Sequence, residues 1–193
     1  ATFAGGMPVN TTRVGQALIG FYRWIGSGFL ADEWVWLCRS GLVQFGEGDP
    51  TPQAVATLVR QARIGEGRAR YGEALLRMKL RILEGDPEGD DMFRGVRVSE
   101  IEAVDRVLER VFESVPEGAS VTLGDVVEAG VRFLDLFVGK EEEEDREGEV
   151  REVLVGFLTQ VQGSGFRKGP LRRLANRVME LVGGQVFGAA SAR

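Results

Sequence analysis

Apolar residues recur at helical spacing in block after block of this chain, and what interrupts them is glycine, proline or a run of charge. Val14, Leu18, Phe21, Tyr22 and Ile25 mark a first helix, opened by a cap at Asn10 or Thr11 and closed by Gly26-Ser27-Gly28. Gly15 and Gly20 make it a poor isolated helix, so packing must hold it. Trp34, Val35, Leu37, Cys38, Leu42 and Phe45 form a second set, with Asp32 as its cap and Trp36 off the main stripe. Asp49-Pro50-Thr51-Pro52 then reads as a turn whose Thr51 caps a third helix, with Pro52 in the first helical position. Its stripe is Val55, Leu58, Val59 and Ala62; after Gly65-Glu66-Gly67 the pattern resumes as Ala74, Leu75, Met78 and Ile82, which predicts two helices with a bend or loop near Gly65 rather than one long rod.

Further on, Ser99 and Glu102 have the spacing of a capping box ahead of Ile101, Val104, Val107, Leu108, Val111 and Phe112. Pro116-Glu117-Gly118 breaks that helix. Thr122 and Asp125 form a second box before Val126, Val127, Val131, Leu134, Phe137 and Val138. The β-branched residues around Ala119–Leu123 leave a strand start open there. Val150, Val153, Leu154, Phe157, Leu158 and Val161 build another helix, ended by Gly163-Ser164-Gly165, and Pro170 opens a last one with Leu171, Leu174, Val178, Leu181 and Val182. The expectation is an all-α fold: a bundle of six to seven amphipathic helices in one domain over residues 11–183. Residues 1–10 form an extended arm, and residues 184–193 a loose tail.

Charge changes this picture in one respect. The chain of 193 residues carries a formal net charge of -5, which excludes coating a nucleic acid by bulk positive charge. Its cations are nevertheless gathered. Arg60, Arg63, Arg68, Arg70, Arg77, Lys79 and Arg81 face only Glu66 and Glu73, and Arg167, Lys168, Arg172, Arg173 and Arg177 make a second cluster. Such strips serve either as the solvated faces of core helices or as phosphate-contacting surfaces, for which the guanidinium fork is suited. The acidic stretches at 84–91 and 140–149 read as solvated loops; the second has an alternative as a carboxylate cluster that repels a neighbouring copy.

Catalytic chemistry has no visible footing. The chain has no histidine, one cysteine, and no phosphate-binding loop, nucleophile elbow or metal-ligand motif. The expectation is therefore no enzyme, no metal and no cofactor. Cys38 reads as a buried, inert thiol. No apolar run is long enough to span a bilayer and no secretory signal is visible, so the expected setting is a virion or the cytoplasm, with no membrane partner.

Two segments resemble the coat proteins of rod-shaped, tobamovirus-like plant viruses. Ala31-Asp32, Trp34, Leu37-Cys38, Leu42 and Phe45, followed by Val55, Leu58, Val59 and Arg60, resemble that family's first helix pair. Val150 to Val161, followed by Gly163-Ser164-Gly165-Phe166-Arg167, resembles its last bundle helix and the loop after it. Arg167 stands where the family usually carries Glu, and residues 94–139 lie outside the resemblance. Helical filament coat proteins of archaeal viruses are similar in their helical, glycine-rich character. The resemblance implies a bundle that stacks into a helical homo-oligomer, gripping RNA or DNA phosphates through arginines. The nucleic-acid contacts would then be Arg60, Arg63, Arg68, Arg70, Arg77, Arg167, Lys168, Arg172 and Arg173. The other reading of the same helices is an adaptor or regulatory domain that binds a partner helix in an apolar groove.

Overall fold

The computed structural model describes residues 7–85, 95–139, 146–163 and 168–187. Eight α-helices run through them: α1 (Arg13–Gly26), α2 (Ala31–Arg39), α3 (Pro52–Gln61), α4 (Arg68–Glu84), α5 (Val98–Glu113), α6 (Leu123–Phe137), α7 (Arg146–Gly163) and α8 (Leu171–Gly183). The described residues hold eight helices where six to seven were expected, and the glycines around Gly65 separate α3 from α4 as expected. Of the acidic stretches read as loops, 86–91 and 140–145 lie outside the described residues, as does Arg167, whereas Glu84 ends α4 and residues 146–149 form the first turn of α7 rather than a loop.

Caps decide where these helices start. Thr51 Oγ1 accepts from Ala54 N–H at 3.2 Å, and Thr122 with Asp125 closes a reciprocal box, both as the spacing requires. Three starts differ from expectation. Thr12, not Asn10 or Thr11, caps α1, because its hydroxyl is buried and accepts from Gly15 N–H at 3.1 Å. Asp32 lies in the first turn of α2, where its negative charge favours the helix N-terminus, while Leu30 holds the cap position. In α5 the carboxylate that turns back is Glu100, which accepts from the Arg97 backbone N–H at 3.0 Å; Ser99 is already inside the first turn.

Packing centres on α1, which touches α2, α6, α7 and α8 and buries residues around most of its circumference. Gly20 is one means to this, since a Cβ there would stand 2.9 Å from both Leu37 Cδ1 and Trp36 Cζ3 of α2. At its C-terminal end Trp24 gathers the other half of the protein: its ring lies 4.9 Å from Trp34 of α2 and 5.1 Å from Phe112 of α5, and its indole N–H donates to Tyr71 Oη of α4 at 2.9 Å. Tyr71 donates in turn to the carbonyl of Phe29 at 3.1 Å. Phe21 stacks on Phe133 of α6 at 4.2 Å.

Four two-residue strands complete the fold as two antiparallel pairs. β1 (Met7–Pro8) pairs with β4 (Val186–Phe187), and β2 (Val121–Thr122) with β3 (Lys168–Gly169). The purely helical expectation thus needs correction at these points, and residues 186–187 are anchored rather than loose. Strands this short carry no alternation, and their partners lie far away in sequence, so only β2 has any local signal.

At the α1–α6 crossing, Tyr22 Oη donates to the carbonyl of Val126 at 3.1 Å, and a Cβ on Gly130 would sit 2.0 Å from that oxygen. Gly130→Ala should therefore destabilise by about 1–3 kcal/mol in urea unfolding despite the better helix propensity of alanine. In a Tyr22→Phe background, which removes the hydroxyl oxygen at 2.0 Å and leaves ring Cζ at 2.6 Å, the same substitution should cost less.

Candidate nucleic-acid interface

The arginines of the first basic strip divide by where their helices point them. Arg68 opens α4 and turns inward: Nη2 donates to the Phe112 carbonyl at 3.0 Å and Nη1 to that of Val115 at 3.3 Å, while Glu117 lies 2.8 Å away. Its guanidinium carbon also stands 5.1 Å from the Phe112 ring centroid. Phe112 lies in the last turn of α5 and its carbonyl also accepts from the Val115 N–H at 3.0 Å, whereas Val115 lies just past the helix, so Arg68 ties down the last turn together with the chain that leaves it. Arg68 therefore acts as a clamp between α4 and the C-terminal end of α5. Arg70 is drawn toward Glu73 at 3.6 Å, a solvated pair of little weight. Arg60, Arg63 and Arg77 are exposed and have no ion-pair partner among the described residues. Arg63 sits at φ 51 just past the end of α3, a left-handed position in which glycine is cheaper by about 1 kcal/mol.

The second strip behaves similarly. Arg172 Nη2 donates to the Ser27 carbonyl at 2.7 Å and Nε reaches that of Gly26 at 3.4 Å, closing the end of α1. The fit is tight, since a Cβ on Gly28 (φ 81) would lie 2.7 Å from Arg172 Cζ. Arg177 stands 3.5 Å from Glu180. Lys168 and Arg173 are exposed and make no ion pair among the described residues; Lys168 has Asp125 as an electrostatic neighbour, and the Thr122 hydrogen bonds hold that carboxyl below its ordinary range.

Two further arginines, which sequence reasoning does not single out, do the same structural work. Arg151 donates to the Val138 carbonyl at 3.1 Å and to Asp135 at 2.9 Å, and Arg13 donates to the Gly41 carbonyl at 3.0 Å. Nothing in their spacing marks them, because the carbonyls they meet are brought in by other segments of the fold.

What the structure does bring together is a groove of about 1180 Å³ beside α8. Leu123, Phe157, Val161, Leu174 and Leu181 give it an apolar lining, while Lys168, Arg172, Arg173 and Arg177 set its charge against the one carboxylate of Glu180. Arg60, Arg63, Arg68, Arg70 and Arg77 are not part of it. A smaller hollow of about 530 Å³ lies between α4 and α5, lined by Arg68, Ala69, Tyr71, Gly72, Leu108 and Phe112 with Asp105, Glu109 and Glu113. Burial, then the adjacent Glu109 carboxylate, raise Asp105 above the ordinary carboxylate range, and Lys79 pulls it partly back. Burial likewise pushes the Cys38 thiol up, away from reactivity.

Among the described residues no group of three or more metal-ligating side chains comes together, and no helix is long and apolar enough to cross a membrane. Comparison with protein-family models, with curated proteins and with solved structures finds no match.

The two classes of arginine predict different outcomes. Arg68→Met should lower stability by roughly 1–2 kcal/mol by removing the hydrogen bonds to the Phe112 and Val115 carbonyls, and Arg172→Met by about 1 kcal/mol. Changing Arg60, Arg63 and Arg77 together to Gln should leave the melting temperature within about 1–2 °C of the parent. For Asp105 the sign runs the other way from an ion-paired carboxylate. Its folded-state pKa is raised, so its contribution is lost as pH rises through that value. Asp105→Asn should raise the melting temperature at pH 7, with the gain shrinking as pH falls through the raised value and gone once pH is below the ordinary range of carboxylates.

Proposed function

We propose that this chain is a structural, self-assembling subunit of viral coat or nucleocapsid type, whose copies receive a nucleic-acid backbone in the groove beside α8. One observation carries the reading. In a chain of net charge -5, Lys168 and Arg173 stand at a groove with no ion-pair partner among the described residues, next to an apolar lining that includes Phe157. Phosphates on a cationic rim, with bases against an aromatic and aliphatic floor, is how single strands are held without sequence preference. Arg172 contributes charge there while its donors remain on the end of α1. Of the first strip, Arg60, Arg63 and Arg77 remain available as outlying phosphate contacts.

A second reading, an adaptor that takes an acidic amphipathic partner helix in the same groove, is favoured by the extent of the apolar lining: Leu123, Val161, Leu174 and Leu181 are more than a phosphate chain needs.

Fluorescence anisotropy with a uridine 20-mer separates the two. On the first reading the full chain binds, affinity falls steeply with salt, and Lys168→Gln with Arg173→Gln weakens binding at least tenfold. The salt slope then drops by about 1.4, at roughly 0.7 for each single-strand phosphate that is no longer neutralised. Absence of salt-dependent binding to the 20-mer, together with saturable binding of an acidic amphipathic peptide that Phe157→Ser abolishes, would replace the first reading by the second.

A further inference from the structure

Helix α4 has two apolar faces, and only one of them has a partner among the described residues. Tyr71, Ala74, Leu75 and Met78 are buried, and the helix packs against α5. Leu76, Leu80 and Leu83 are instead 56%, 45% and 63% exposed, three of the six large apolar side chains exposed among the described residues. At 100° per residue they fall within about 60° of one another and lie about 150° from the centre of the buried stripe. Trp36, another of the six, is covered by the guanidinium of Arg23 at 4.3 Å, whereas the three leucines stand open.

The outer face is graded in size along its length. Its N-terminal half presents Ala69 and Gly72, both exposed, and a Cβ on Gly72 would meet nothing within 4 Å. Its C-terminal half presents the three leucines. A second copy running antiparallel along it sets large against small in both directions. When residue numbers opposite each other sum to about 150, Leu80 of each copy falls between Ala69 and Gly72 of the other, beside the hollow of about 530 Å³ between α4 and α5. The same register sets Glu73 against Arg77 of the other copy, twice, and brings the two Leu76 side chains together beside the twofold axis. Arg77 has no ion-pair partner among the described residues, and Glu73 is only loosely engaged by Arg70 at 3.6 Å. Size, cavity and charge thus agree on one register, as a self-complementary twofold contact requires.

We infer that the outer face of α4 docks on the same face of a second copy, as an antiparallel helix pair centred near residue 75. The inference rests on the self-assembly part of the proposed function and names the surface used. From Ala69 to Leu83 the stripe is about 21 Å long and a helix with its side chains about 10 Å wide, so the face covers on the order of 200 Å², well short of the roughly 800 Å² per partner of a stable complex. The pair is therefore a weak, concentration-dependent dimer, or one contact within a larger assembly.

Sedimentation equilibrium of the full chain from about 1 µM to 1 mM tests this. The expected result is reversible self-association that Leu76→Glu with Leu80→Glu reduces at least tenfold, circular dichroism remaining that of the parent. Glu73→Arg alone and Arg77→Glu alone should each weaken it, and the two together should restore it, which a merely structural role would not produce. A parent that stays monomeric throughout overturns this inference and the self-assembly reading together. A parent whose association ignores all of these substitutions overturns this inference alone, leaving assembly through another face.

Discussion

The last carbonyl groups of a helix lack the full set of donors that a further turn would supply, and where the helix end meets another helix a side chain can supply some of them. This protein meets that constraint with arginine. Arg172 closes α1, Arg68 closes α5 and Arg151 reaches the residue after α6, each from a different helix. A guanidinium presents several donors in one plane and stays charged, so it can bridge two carbonyls in succession where an ammonium would present a point. Lysine occurs only at positions 79, 140 and 168, none of them at such a junction among the described residues. The long-range cross-ties between helices are thus made largely by the residue type that sequence reasoning would first assign to phosphate.

That dual use explains how far the sequence could be read. Amphipathic spacing, Thr51 with Pro52, the Thr122–Asp125 box and the break at Gly65 are local, and local chemistry acts the same way in any fold. The destination of an arginine is not local. Arg68 and Arg70 differ by two positions and have similar neighbours in sequence, yet one is turned onto α5 and the other toward solvent. The capping register failed where two acceptors compete within one turn, as with Glu100 and Glu102: the first turns back to the helix start, and the second is taken by Lys79 at 2.6 Å. Leu76, Leu80 and Leu83 did carry a signal, a second stripe at helical spacing, but the inner stripe of the same helix already satisfied the pattern.

The groove beside α8 and the outer face of α4 draw on opposite physics. The hold of Lys168 and Arg173 on a polyanion weakens as salt removes the counterion advantage. Leucines against a small-residue face gain from the removal of apolar surface and are nearly indifferent to screening. For an acidic chain the difference matters, because copies that repel at low ionic strength can approach once their charge is screened, under the conditions in which the hold on a polyanion loosens. An assembly built from both interactions would trade one against the other with ionic strength.

The pairing of Met7–Pro8 with Val186–Phe187 has a mechanical side. Force applied to the two ends would be taken first by this clasp, which opens one bond at a time, before it reached the buried α1. The helices are thereby shielded behind a small fuse, in which Met7 and Phe187 stand side by side.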